Sequence, residues 1–222
     1  MTPLMEPLRQ IADLGGPVVL LLLAVSVVTL ATMIYKAWQF AAAGVGRHTA
    51  LSRAVAAWDA GDRAGARAAL DQSKSYLAPV IDMAFTSNTA DTPRLTAEAE
   101  TRFAKLERGF RLLDSVAQLA PLLGLFGTVL GMIEAFQSLQ EAGAQVDPSL
   151  LAGGIWVALL TTAVGLVVAM PTALVLSWFE GRMDAERVTA ERAIATILRP
   201  RGVAAGDVAA GGTVPAAAPL RV

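Results

Sequence analysis

The stretch GGIWVALLTTAVGLVVAMP, residues 153–171, decides the fold, because it contains no ionisable side chain and its only hydroxyls are those of Thr161 and Thr162. It lies inside an uncharged run of 32 residues, Pro148–Phe179. A helix rises about 1.5 Å per residue, so about 20 apolar residues cross the hydrocarbon of a bilayer. Working outward, two further uncharged runs meet that length, Leu14–Tyr35 with 22 residues and Ser115–Ile133 with 19, each bounded by Asp, Glu or Lys. With 55% apolar and 17% charged residues and a mean hydropathy of +0.53, the chain reads as an all-α membrane protein with three transmembrane helices.

Composition also removes several function classes. A net charge of −1, with no Lys/Arg-rich stripe and no interleaved aromatics, gives no reason to bind nucleic acid. There is no cysteine and His48 is the single histidine, so a disulfide framework, a thiol nucleophile and a zinc site of the usual ligands are all disfavoured. No nucleophile, general base and orienting group can be assembled in this setting. The expectation is therefore not an enzyme, with no cofactor and no metal.

Lys and Arg set the orientation, since cytoplasmic flanks carry the excess. Of the 18 basic residues, 11 fall in 36–112, 6 follow residue 180, one is Arg9, and none lies between Glu134 and Glu180. The expected order is a periplasmic N-terminus (1–13), transmembrane helix 1 (14–35), a cytoplasmic helical segment (36–112), transmembrane helix 2 (113–136), a periplasmic loop (137–150), transmembrane helix 3 (151–179), a cytoplasmic helix (180–199) and a disordered Ala/Gly/Pro-rich tail (200–222). The topology is N-out and C-in. Glu6 and Asp13 flank the first run and its apolar stretch exceeds a signal-peptide core, so it is expected to be a retained span. Tyr35-Lys36-Ala37-Trp38, and Trp178-Phe179 at the end of the third run, read as interface anchors.

Within the cytoplasmic segment, TALSRAVAAWDAGDRAGARAAL (49–70) predicts a helical hairpin turning at Gly61-Asp62 and packed by Trp58. Thr92-Pro93 predicts a cap and first turn. From there Leu95, Ala99, Phe103, Leu106, Phe110 and Leu113 form one continuous helical stripe running towards the second span. Glu98/Arg102 and Glu107/Arg111 mark an ordinary solvated face on the other side. Spans two and three are both expected to continue as long helices, the third through ERVTAERAIATIL (186–198).

Two faces of small residues stand out in the spans. On the second, Ala120, Gly124, Gly127, Thr128, Gly131 and Ala135 share one face, with Gly127 and Gly131 in GxxxG spacing. On the third, Ala158, Thr162, Gly165, Ala169 and Thr172 recur at helical spacing. Such faces let helices approach closely where lipid supplies no hydrophobic drive. Packing within the chain is one reading, and the matching stripes favour the other, a symmetric oligomer enclosing a partner helix. None of the three runs contains a carboxylate, Lys or His. A proton path is ordinarily built from such groups, so any titrating group must come from another polypeptide. Glu134, at the outer end of the second run, is the nearest candidate in this chain and reads first as interfacial.

QLAPLLGLFGTVLGMIEAF (118–136) followed by GGIWVALLTTAVGLVVAMPTALV (153–175) closely resembles the two inner spans of the ExbB branch of the ExbB/TolQ/MotA proton-channel family. The resemblance covers about residues 105–195 at motif level. It implies a homopentamer in the bacterial inner membrane that encloses single-span helices of an ExbD-type partner. It further implies that proton flow drives work on TonB and thereby outer-membrane uptake, a TolQ-like role in the envelope being the alternative. By position, the resemblance makes Thr128 and Thr162 pore-facing, with Thr161 beside them and Val157 at the third pore-lining position, while the small-residue spacing makes Gly124, Gly127, Gly131, Ala158, Gly165 and Ala169 helix-packing residues. The family pattern GIxEALxxTAxGL has glutamate where GIWVALLTTAVGL (154–166) has Val157. That departure leaves three readings: a branch in which the partner aspartate and the threonines suffice, a disabled channel, or a scaffold that conducts poorly.

Overall fold

The computed structural model describes residues 5–141 and 148–201, and among them all regular structure is helical. The order is α1 (Met5–Ala43), α2 (Thr49–Asp59), α3 (Arg63–Asp71), α4 (Ala78–Phe85), a 3₁₀ turn (Thr89–Asp91), α5 (Thr92–Glu107), α6 (Phe110–Glu141) and α7 (Pro148–Leu198). Three stretches are long and apolar enough to cross a membrane: Gly16–Ala43, Phe110–Glu141 and Leu151–Leu198. The chain forms a multi-pass, all-α membrane protein. Residues 1–4, 142–147 and 202–222 lie outside the described set, and with them fall the first residues of the N-terminus, the middle of the 137–150 loop and nearly all of the 200–222 tail.

The chain divides into two compact units, the first containing Glu107–Gly181 and the chain up to Trp38, the second Gln39–Leu106 and the chain from Arg182 onwards. In the first unit α1 is broken at Gly16, whose φ of 66° and ψ of −172° are not helical. Pro17 disfavours helical geometry in the residue before it, and glycine accepts the positive φ that results. The apolar helix proper thus restarts at Pro17 and runs past Tyr35 to Ala43. Val18 and Leu22 of α1, Ala120 of α6 and Ala169 of α7 form a buried cluster flanked by Val116, Leu123, Val164 and Val168.

At the far end of this unit the anchors divide. Tyr35, Trp38 and Trp178 are exposed, as interface residues should be, with the Tyr35 and Trp38 rings 6.4 Å apart. Lys36, expected among them, turns inward. It is 1% exposed, its Nζ lies 5.6 Å from the Phe110 ring centroid, and its stem runs beneath Gly109. An ammonium on an aromatic face and an alkyl chain against the backbone both favour this burial. Phe179 is also buried, stacked on Phe110 with centroids 5.7 Å apart.

In the second unit α2 and α3 form the expected hairpin, with Asp62 capping α3 by accepting from the Gly65 N–H at 2.8 Å. Trp58 is held on both faces, stacked on Phe85 at 4.1 Å and covered by the Arg63 guanidinium at 3.6 Å from the ring centroid. Its indole N–H donates to the Ile197 carbonyl at 3.1 Å. Trp58→Phe keeps the stacking but strands that buried carbonyl. It is expected to lower unfolding stability by about 1–2 kcal/mol, read from thermal melts in detergent.

Three expectations for this segment change. The helix cap lies earlier than Thr92: Asn88 and Asp91 form a capping box, and Thr92 is already helical, its hydroxyl donating back to the Thr89 carbonyl at 2.7 Å. The stripe Leu95, Ala99, Phe103, Leu106, Phe110 and Leu113 is buried throughout, but it is not one helix. α5 ends at Glu107 and α6 starts at Phe110, with Gly109 at a φ of 95° between them, a conformation that side-chain-bearing residues disfavour. Arg102 is not on a plainly solvated face either. It pairs with Glu98 at 3.0 Å and donates to the Tyr76 carbonyl at 3.3 Å. The third span does continue unbroken, since α7 has 51 residues.

Candidate functional site

The site is built by α6 and α7 meeting small face to small face. A Cβ on Gly165 would lie 2.6 Å from the Ala120 carbonyl oxygen and 3.1 Å from the Gly124 Cα, and one on Gly124 would lie 2.9 Å from the Thr161 carbonyl oxygen. Further along, Gly127 faces the Thr161 side chain, Gly131 faces Ala158 at 3.4 Å, and Gly154 faces Ala135. These pairs fit one antiparallel register over the whole hairpin. Close backbone approach substitutes for the hydrophobic drive that lipid cannot give. The two stripes therefore close on each other within the chain, as the packing reading of these faces expects.

This register separates the threonines. Thr161 is 1% exposed, and its hydroxyl proton is shared between the Ala158 carbonyl at 2.7 Å and the Gly124 carbonyl across the seam at 3.2 Å. It is a packing residue here, and the position expected for Thr162 on the buried face is taken by Thr161. Thr162 is half-buried beside the seam, its Cα 3.0 Å from the Cβ that Gly124 lacks. Thr128, also half-buried, donates to the Leu125 carbonyl at 2.6 Å. Both hydroxyl-bearing side chains keep some access from the flanks of the pair.

Val157 lies elsewhere. It lines a groove of about 410 Å³ together with Gly16, Pro17 and Val18 of α1 and Gly127, Leu130, Gly131, Ile133, Glu134 and Gln137 of α6. At about 100° per residue Val157 and Thr162 point roughly 140° apart on α7. The structure thus brings Val157 and Glu134 into one cavity and leaves Thr128 and Thr162 outside it. Large apolar side chains, among them Leu122, Phe126, Val129, Leu159, Met170 and Leu174, cover the outer faces of α6 and α7, a surface suited to lipid or to other membrane helices.

A second polar centre, which sequence reasoning missed, sits in the other unit. Glu186 of α7 is 2% exposed. It accepts from the Gly46 N–H at 2.9 Å and from the Tyr76 hydroxyl at 2.8 Å, and meets His48 Nε2 at 2.6 Å. Arg182 is 3.8 Å away, and Ser75 Oγ lies 3.3 Å from His48 Nδ1. Burial pushes the Glu186 carboxyl up, but the hydrogen bonds from His48, Tyr76 and Gly46 outweigh it and hold the group below its ordinary value. Burial, and next the bond to Glu186, push the Tyr76 phenol well above the usual range. A signal was present: Phe179, Met183, Ala190, Ala193 and Ile197 form a buried stripe, and Glu186 occupies an apolar position in it.

Residues 61–192 match the profile of the MotA/TolQ/ExbB proton channel family. The chain is 48% identical over 63 residues to biopolymer transport protein exbB1 of Vibrio cholerae, covering 28% of each chain. It is 39% identical over 80 residues to the Tol-Pal system protein TolQ of Haemophilus influenzae, covering 36% of this chain and 35% of the other. With the biopolymer transport protein ExbB of Salmonella typhimurium it shares 32% identity over 91 residues, covering 41% of this chain and 37% of that one. The matched stretches span less than half the length of these curated relatives.

Proposed function

This chain belongs to the MotA/TolQ/ExbB proton channel family, and from that premise we propose that it is an ExbB-type stator subunit of the bacterial inner membrane. Five copies form a ring, N-terminus outside and C-terminus inside. The ring encloses the single-span helices of an ExbD-type partner, and proton flow through the assembly drives TonB-dependent uptake. One observation carries this reading: the hydroxyls of Thr128 and Thr162 border a tightly closed α6–α7 pair whose uncharged runs contain no ionisable side chain. Those uncharged runs can guide a proton but hold no group that binds one, so the partner's carboxylate must titrate beside them. The exposed apolar flanks of α6 and α7 supply the surface for neighbouring copies.

Purified protein in liposomes, with and without the ExbD-type partner, tests the proposal through a pH-sensitive dye. Proton flux is expected only when the partner is present, and Thr162→Val is expected to reduce it at least tenfold. Flux from the chain alone would defeat the reading. Val157 favours a second reading, a scaffold that binds the partner without conducting, for which binding without flux is the outcome. A TolQ-type role is distinguished by which partner restores growth, an ExbD-type or a TolR-type protein.

A further inference from the structure

Glu134 is not at the end of its helix. α6 continues to Glu141, which places Glu134 about 10 Å inside the helix end at 1.5 Å per residue. The seam fixes its height against α7. Gly131 abuts Ala158 and Ala135 abuts Gly154, so Glu134 lies level with Ile155, and about 3 Å along the axis from Val157. Both residues line the same groove of about 410 Å³, whose third wall is Gly16–Val18, where α1 breaks and restarts. The cavity has room for several waters at about 30 Å³ each. Its side chain is exposed along that groove, and a carboxylate two turns inside the end of a membrane helix is costly to place, which is why such groups are generally functional.

We propose that Glu134 is the proton-relay carboxylate of this chain, occupying through α6 the groove position that a glutamate on α7 would otherwise fill at Val157. This rests on the channel reading above. A hydrated proton entering from the Glu141 end of α6 protonates the Glu134 carboxylate. The resulting carboxylic acid then gives that proton to a deprotonated carboxylate of the partner and returns to its ionised form, so charge and protons balance over the cycle. Moving the carboxylate from one wall of the groove to the other preserves an anionic entry while leaving the Pro148–Phe179 run of α7 free of charge.

The test is proton flux in liposomes holding the complete complex with its ExbD-type partner, for the parent protein, Glu134→Gln, Glu134→Asp, Val157→Glu and the double variant Glu134→Gln/Val157→Glu. Ring assembly is checked for each by native mass spectrometry. The expected results are at least a tenfold loss for Glu134→Gln with assembly intact, partial retention for Glu134→Asp, and recovery in the double variant. Undiminished flux in Glu134→Gln overturns the proposal, and so does a double variant that stays silent although assembled. A silent parent beside a conducting Val157→Glu overturns it while leaving the channel reading intact. If neither conducts, the channel reading itself fails.

Discussion

Gly165→Ala is expected to separate α6 from α7. The added methyl carbon would fall 2.6 Å from the Ala120 carbonyl oxygen and 3.1 Å from the Gly124 Cα, and both are backbone atoms that no rotamer change can move. Relief therefore requires the helices to part, which breaks neighbouring contacts at Gly124, Gly127 and Gly131 together. Overpacking a close-fitting contact typically costs about 1–3 kcal/mol, occasionally more, and the rigid partner puts this site at about 3 kcal/mol. The same change at Gly153 or Gly181 meets nothing within 4 Å. There it is expected to be neutral or to stabilise by up to about 1 kcal/mol through helix propensity. Thermal unfolding in detergent, compared across the three variants, checks the contrast. Equal effects at all three positions would mean that the seam does not depend on backbone approach.

Glu186→Gln is expected to loosen the second unit by about 3 kcal/mol, because it removes a buried charge from partners arranged to receive it. His48, Tyr76 and the Gly46 N–H all converge on this carboxylate, with Arg182 close by. The pH dependence has a fixed sign. Because the folded carboxyl titrates below its ordinary value of 4.5, its stabilisation is complete above about pH 4.5 and is lost as pH falls through the lower, folded value. The parent protein should therefore lose melting temperature on acidification below that point, while Glu186→Gln shows a flatter profile. A double-mutant cycle with His48→Ala should return a coupling of about 1–2 kcal/mol. Additive losses, with identical pH profiles, would show that the two side chains act separately.

Much of this molecule is legible in its residues. Uncharged runs point to the spans because lipid offers no hydration for ionised groups, and a long apolar helix overlaps each of them. The stripe from Leu95 to Leu113 identifies the buried face of its segment because helical periodicity does not depend on what covers that face. The hairpin at Gly61-Asp62 follows from turn and capping chemistry that is local. Val157 was visible as an anomaly from its motif alone.

The tertiary structure decided what periodicity leaves degenerate. Thr161 and Thr162 both continue the small face to within a residue, and only the register against Gly124 and Gly127 buries one and leaves the other at the flank. Lys36 reads as an anchor until Phe110 and Gly109 are brought beside it. His48, Tyr76 and Glu186 are separated by up to 138 residues, and Glu134 meets Val157 only across the antiparallel seam. Sequence by itself determined which segments are helical and which faces are apolar, since those follow from each residue's own hydration and backbone preference. Which faces meet, and at what height, is a property of pairs of helices, set by the closest approach their small residues allow.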